Sequence, residues 1–204
     1  MHIAVAGNIG AGKTTLTELL AKHFKWDPHF EDVVDNPYLD DFYHQMERWS
    51  FNLQIYFLNT RLRQVLQFKE SGKNIIQDRT IYEDSHIFAP NLHAMGLMSN
   101  RDFSNYTSLF ELMETFVGAP DLLIYLRSSI PNLVKQIHKR GRDYENSISI
   151  DYLSRLNERY EAWIQNYDKG KLLIVDVDKN NFVDSPEDLG EIINRINAEL
   201  NGLF

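Results

Sequence analysis

Gly7-Asn8-Ile9-Gly10-Ala11-Gly12-Lys13-Thr14 is the stretch on which the fold turns. It meets G-x-x-x-x-G-K-[ST] at every fixed position, the pattern of a phosphate-cradling loop. Glycines let the backbone wrap closely around phosphate oxygens with the amide N–H groups pointing inward, and a following helix adds its positive N-terminal end. Lys13 is the residue that reaches the β- and γ-phosphates, and the Thr14 hydroxyl suits Mg²⁺. The flanks agree: HIAVAG (2–7) reads as a strand, and TTLTELLAKHF (14–24) reads as a helix with Leu16, Leu19, Leu20 and Phe24 on one face. The loop implies a bound nucleoside triphosphate. It leaves open whether the γ-phosphoryl group drives a motor, times a switch or is transferred to an acceptor.

Outward from the loop, short apolar runs alternate with longer helical stretches, the pattern of a parallel α/β sheet. NIIQD (74–78), DLLIYLR (121–127) and KLLIVDV (171–177) are near-continuous apolar runs, as strands covered on both faces should be. HFED (29–32) is a short candidate second strand, giving a five-stranded parallel sheet with helices on both faces. Helices are expected within 37–71 (two of them, ending at Gly72), 99–117, 128–140 with Pro131 in its first turn and Gly141 at its end, and 149–168. A last helix starts at Ser185-Pro186-Glu187-Asp188 and carries the stripe Leu189, Ile192, Ile193, Ile196 and Leu200.

The chain has 204 residues, 43% hydrophobic and 25% charged, which fits one domain over 1–204. There is no cysteine, so disulfides and cysteine-ligated metals are excluded and a reducing compartment is acceptable. The balance of 21 basic against 29 acidic residues gives −8, which argues against a broad basic face for a nucleic-acid polymer. Gly7, Gly10, Gly12 and Lys13 interrupt any signal-peptide core, and no apolar run approaches a membrane span. The expected location is the cytoplasm. The seven histidines show no ligand spacing, so Mg²⁺ would arrive with the nucleotide.

The remaining sequence narrows the reaction. A guanine-reading switch needs Asn-Lys-x-Asp, and the chain contains no Asn-Lys pair. IHKRGRDYE (137–145) clusters Lys139, Arg140 and Arg142 around Gly141. Such cations favour a helix C-terminus, but beside a phosphate loop they also suit a lid that neutralises a transferring phosphoryl group. In PHFEDVVDNPYLDDFY (28–43), a carboxylate ending a second parallel strand would face the same sheet edge as the loop and could act as a base. Spacing alone does not separate Glu31 from Asp32, Asp35, Asp40 and Asp41.

These residues carry a resemblance. GNIGAGKTT (7–15), FEDVVDNPYLDDFY (30–43), RWSFNLQIYFLNTR (48–61), QDRTIYEDSHIFA (77–89), IYLRSS (124–129) and KRGRDYE (139–145) occur in the order found in the deoxynucleoside kinases, specifically the bacterial deoxyadenosine/deoxyguanosine kinase branch. They span roughly two-thirds of the chain. The resemblance implies the P-loop kinase fold with an arginine-bearing lid at about 139–147. It implies transfer of the ATP γ-phosphoryl group to a deoxynucleoside 5′-hydroxyl, with Mg²⁺. It also implies a homodimer formed through a helix bundle, for which the segments 49–71 and 99–117 are candidates.

Carried across position by position, the resemblance makes Glu31 the general base, although this chain has Glu31-Asp32 where the family often has Glu-Pro. Asp78-Arg79-Thr80 falls on the acidic-Arg-Ser/Thr motif, with Asp in place of the commoner Glu. Arg79 would steady the transferring phosphoryl, and Asp78 would position Mg²⁺ with Thr14, partly through water. Gln54 would read the base edge, Arg61 and Asp84 would line the base pocket, and Phe88 would stack on the base. Arg61 lies seven residues after Gln54, two helical turns on, hence on the same helix face. Tyr43 and Glu145 would bind the sugar 3′-hydroxyl. The ATP side would be residues Gly7 to Thr15 with Arg140 and Arg142. Deoxyadenosine or deoxyguanosine is the favoured acceptor, deoxycytidine a further one. The alternative is a thymidylate-type nucleoside monophosphate kinase, which shares the loop, an Asp-Arg pair and the lid but needs no general base. A non-enzymatic nucleotide switch is a third reading.

Overall fold

The computed structural model describes residues 1–31 and 36–202, so Asp32 and Asp35, weighed above beside Glu31, lie outside the described residues. The first half runs β1 (His2–Gly7), α1 (Lys13–Phe24), β2 (Asp27–His29), α2 (Leu39–His44), α3 (Met46–Ser71) and β3 (Ile75–Asp78). A composite helix follows: α4 (Ile81–Glu83), a π-helical turn (Asp84–Phe88) and α5 (Ala89–Ala94). Then come α6 (Asn100–Glu114), β4 (Leu122–Arg127), α7 (Ile130–Arg140), a 3₁₀ turn (Asp143–Ser147), α8 (Ile150–Gln165), β5 (Lys171–Asp176) and α9 (Pro186–Asn201).

The five strands form one parallel sheet in the order β2-β3-β1-β4-β5. Alternation along β1 divides the core: Ala4 and Ala6 face one layer with Leu123, Tyr125, Leu53 and Tyr160, whereas Ile3 and Val5 face the other with Leu16, Leu20, Ile192 and Ile196. Both faces of the strand are buried, which is why its sequence is apolar without a break. Each large aliphatic side chain removed from water contributes about 1.5–3 kcal/mol. β1 lies between β3 and β4, and the chain crosses from one side of it to the other between those two strands, so the crevice beyond the carboxyl end of β1 is where an open α/β sheet binds ligands. The phosphate loop begins there.

Helix ends follow expectation. Pro131 sits in the first turn of α7, and Gly141 closes it at φ 67°. The Ser185 hydroxyl caps α9 by accepting from the Asp188 N–H at 3.2 Å. No helix among the described residues is long and apolar enough to cross a membrane.

Two expectations need correction. The second strand is Asp27–His29, not 29–32. Among the described residues it pairs only with β3, through Asp27 with Ile75, Pro28 with Ile76 and His29 with Gln77. An outermost strand tolerates Pro28, which has no N–H to donate, and Phe30 leaves the sheet to face a cavity. The helical run from Ile81 to Ala94 was not anticipated, because its π-helical turn breaks the period that marks a helix.

Candidate active site

The phosphate loop connects β1 to α1. Gly10 and Gly12 hold φ values of 86° and 93°, where a Cβ is strained. At Gly10 a Cβ would also stand 2.9 Å from the Leu133 carbonyl oxygen of α7. The Asn8 side chain turns away from the loop's interior, donating to the Leu153 carbonyl at 3.0 Å and the Asn157 side chain at 3.3 Å, so α8 anchors the loop from behind. Lys13 donates to the Asn8 carbonyl at 3.0 Å. Burial, and then the nearby Arg79 charge, lower its pKa to about 8.

Register brings Asp78 to the loop, since it pairs with Val5 at the end of β3. The Thr14 hydroxyl donates to Asp78 Oδ2 at 2.5 Å, while Asp78 Oδ1 is buried without a hydrogen-bond partner. A hydroxyl, a carboxylate oxygen and a second carboxylate oxygen left unpaired form the hard-oxygen set that suits Mg²⁺. Residue 79 follows in the left-handed region, with φ 67°, an uncommon state for a non-glycine residue. That turn carries the Arg79 guanidinium over the Phe88 ring, 4.4 Å from its centroid.

Glu31 is the hub of a charge network beside the loop. Its Oε1 accepts from Arg61 Nη2 at 2.8 Å and from Arg79 Nη1 at 3.1 Å. Burial would raise its pKa, but the guanidinium groups of Arg79 and Arg61 overcome this and hold it at about 2. Arg61 also bonds the Asp84 carboxylate through Nε and, at 3.4 Å, through Nη2. Burial would lower the Arg61 pKa, yet Asp84 and Glu31 keep it above its ordinary value. Burial also pushes Asp84 up, against the pull of Arg61.

Two spaces meet at the loop. One, of about 240 Å³, is lined by Glu31, Tyr43, Gln54, Asp84, Phe88 and Glu145 and reaches Lys13, Asp78 and Arg79. The other, of about 440 Å³, is lined by Gly12, Lys13, Thr14, Thr15 and the 181–184 segment. Arg140 and Arg142 border both. The segment that carries them is tied together: Arg140 donates to the Glu145 carboxylate at 2.5 and 3.0 Å, and Arg142 at 3.4 Å. Tyr43 stacks on Tyr144 at 5.5 Å, and burial raises its pKa well above the usual phenol value. Gln54 Oε1 is buried without a hydrogen-bond partner.

Of the residues singled out from sequence, Arg61 stands one layer back, behind Glu31 and Asp84, and Asn8 faces α8. Gly7 and Ala11 pack against each other, a Cβ on Gly7 standing 3.2 Å from that of Ala11. Sequence reasoning missed three features. The segment around Phe182 walls the second space, and that ring would meet a Cβ on Gly12 at 3.2 Å. Tyr144 and Tyr152 line the first. Glu83 is completely buried beneath the loop. For Glu83 the signal was readable, since Thr80-x-x-Glu83 has the spacing of a capping box.

Three comparisons bear on this arrangement. The family model for deoxynucleoside kinase matches residues 3–201. The chain is 41% identical over 197 residues to the deoxyadenosine/deoxycytidine kinase of Bacillus subtilis (strain 168), covering 95% of this chain and 90% of that one. It is 41% identical over 192 residues to the deoxyadenosine kinase of Dictyostelium discoideum, covering 94% and 77% respectively. A solved structure of deoxyadenosine kinase from M. mycoides, with products dCMP and a flexible dCDP bound, aligns with a TM-score of 0.87 at 32% identity over 97% of this chain and 100% of that one.

Proposed function

The chain belongs to the deoxynucleoside kinase family, and we propose on that footing that it transfers the γ-phosphoryl group of ATP to the 5′-hydroxyl of a deoxynucleoside, releasing ADP and the 5′-monophosphate. One domain over 1–204, with its lid at about 139–147, carries the reaction. The observation that supports this most directly is the meeting of two spaces at Lys13 and Thr14, with the Glu31–Arg79 pair on the acceptor side.

In this reading the 440 Å³ space takes ATP and the 240 Å³ space takes the nucleoside. Gln54 and Asp84 offer polar partners to a base edge, and Phe88 offers a ring face. Tyr43 and Glu145 hold the sugar. Thr14 and Asp78 would hold Mg²⁺, whose charge would stabilise the oxygens of the transferring group. Glu31 orients the 5′-hydroxyl and accepts its proton. A carboxylate held near 2 is a weak base. It nevertheless suffices in a loose transition state, where the hydroxyl becomes acidic only as it bonds to phosphorus. Arg79, Arg140 and Arg142 neutralise developing charge.

Among acceptors, deoxyadenosine and deoxyguanosine come first and deoxycytidine follows, as the names of the similar proteins suggest. A homodimer through α3 and α6 is supported by exposed Leu66 and Leu112 on those helices, and a cytoplasmic location by the lack of cysteine. Incubating the protein with ATP, Mg²⁺ and each of the four deoxynucleosides, with thymidine monophosphate alongside, tests the reading. Phosphorylation confined to the monophosphate would refute it.

A further inference from the structure

Thr80-Ile81-Tyr82-Glu83 has the spacing in which a glutamate caps its own helix, ordinarily at the surface with one carboxylate oxygen left in water. Here Glu83 is fully buried, and both oxygens are engaged. Its Oε2 accepts from the Thr80 N–H at 2.8 Å. Its Oε1 accepts from the Tyr160 hydroxyl at 2.8 Å and from the Gly7 N–H at 3.3 Å. Three donors from three parts of the chain converge on one carboxylate: the first residue of the phosphate loop, the turn after β3 and the middle of α8.

The same carboxylate stands behind Arg79. Glu83 Oε1 is 3.9 Å from Arg79 Nε, which is buried without a hydrogen-bond partner. Arg79 thus lies between two carboxylates, Glu31 on the cavity side at 3.1 Å and Glu83 on the protein side. Its left-handed backbone is costly unless neighbours over-determine it. The Glu83 bond to the next residue's N–H and the Phe88 ring beneath the guanidinium supply that constraint. Tyr160 extends the frame by stacking on Tyr125 at 5.8 Å and meeting Phe88 edge-on at 6.4 Å.

We propose that Glu83 is a positioning residue for phosphoryl transfer: one buried carboxylate fixes the entrance of the phosphate loop at Gly7 and the back of Arg79, and so sets the distance between the donor cradle and the acceptor-side arginine. The inference rests on the kinase reading above. It assigns Glu83 no contact with either substrate. In-line transfer depends on the relative placement of donor and acceptor, and a misplacement of about 1 Å can cost on the order of 10²-fold in rate. Loss of Glu83 should therefore fall on kcat more than on nucleoside affinity, because the base and sugar contacts are made by other side chains.

The test compares wild type, Glu83→Gln and Tyr160→Phe by steady-state kinetics with ATP and deoxyadenosine, by equilibrium titration of deoxyadenosine and by thermal melting. Glu83→Gln keeps the volume, but its amide nitrogen must face one of the converging donors. Its kcat should fall by about ten- to a hundredfold, with the deoxyadenosine Kd within about twofold of wild type by this reasoning. Tyr160→Phe leaves the carboxylate in place and keeps the rings, so a smaller loss in kcat is expected. It also serves as the deciding variant if Glu83→Gln does not fold. Wild-type kcat in a folded Glu83→Gln, or in Tyr160→Phe should the first variant not fold, overturns the proposal. So does a loss of kcat matched by an equal loss of nucleoside affinity. A wild-type protein that phosphorylates no deoxynucleoside overturns the kinase reading itself, which separates the two failures.

Discussion

Replacing Glu31 by glutamine tests the acceptor side most directly. The carboxylate accepts from Arg61 at 2.8 Å and Arg79 at 3.1 Å, and its side chain is 15% exposed. Its pKa falls from 4.5 to about 2. At about 1.4 kcal/mol per pH unit, that difference favours the charged form by about 3 kcal/mol. Both arginines bond the same Oε1, so in Glu31→Gln an amide oxygen in that place still accepts from both, but the negative charge that compensates two buried guanidinium groups is gone. Losing that compensation costs about 1–3 kcal/mol. For a chain of this size, each kcal/mol corresponds to about 2–4 °C in Tm, so melting should drop by about 2–12 °C.

The catalytic effect should be larger, with kcat falling by about 10²–10⁴-fold as expected for a lost general base. The sign of the pH dependence follows from a depressed carboxylate. Its contribution is complete above the unfolded value of 4.5 and disappears only as pH falls toward 2. The stability gap between wild type and variant should therefore be flat from pH 8 to about 5.5 in urea titrations. A folded Glu31→Gln with kcat within about tenfold of wild type would refute the base assignment. A gap that closes between pH 7 and 5.5 would refute the depressed pKa.

Lys13, lowered to about 8, should give kcat/KM for ATP a falling limb above about pH 8, because the free enzyme then loses the cation that meets the triphosphate; a pH profile at saturating nucleoside reads this. Arg61→Met should strip the buried Asp84 of its ion pair and cost about 3–5 kcal/mol, or roughly 6–20 °C in Tm. Because Asp84 is pushed up by burial, that deficit should be larger at pH 8 than at pH 5, as denaturant titrations at both values would show. Gly10→Ala, with φ 86° and a Cβ 2.9 Å from the Leu133 carbonyl oxygen, should weaken ATP binding by at least about tenfold while deoxyadenosine binding is kept, as separate calorimetric titrations would report.

What was legible in the sequence follows from how locally each feature is determined. The phosphate loop is contiguous, and β1 and β4 are buried on both faces, so their residues announced them. The edge strand Asp27–His29 has no apolar run, because among the described residues β3 is its only strand partner. Gln54 and Arg61 share a helix face, but their different depths depend on Glu31 and Asp84, which approach from other elements. The family resemblance singles these residues out without showing that Arg61 is bonded to two carboxylates. Glu83 escaped notice because its spacing reads as a surface cap. Only the packing of α8 against the loop makes it a buried junction.

The charge arrangement also bears on what the acceptor can be. Arg61 is bonded to Glu31 and Asp84, Arg79 to Glu31, and the lid arginines to Glu145. The space beside Glu31 therefore presents an ionised carboxylate whose two arginine partners, Arg61 and Arg79, are already paired. A neutral hydroxyl can donate to that carboxylate without breaking an ion pair. An acceptor phosphate placed about 5 Å from it would meet a repulsion of about 3 kcal/mol per unit charge at an effective dielectric of about 20. To be met by Arg61 or Arg79 it would have to draw that arginine away from a buried partner, at a cost of several kcal/mol. The same repulsion acts on the new 5′-phosphate once transfer is complete. In the proposed reaction, the carboxylate that favours a hydroxyl acceptor over a phosphate would therefore also weaken the hold on the product.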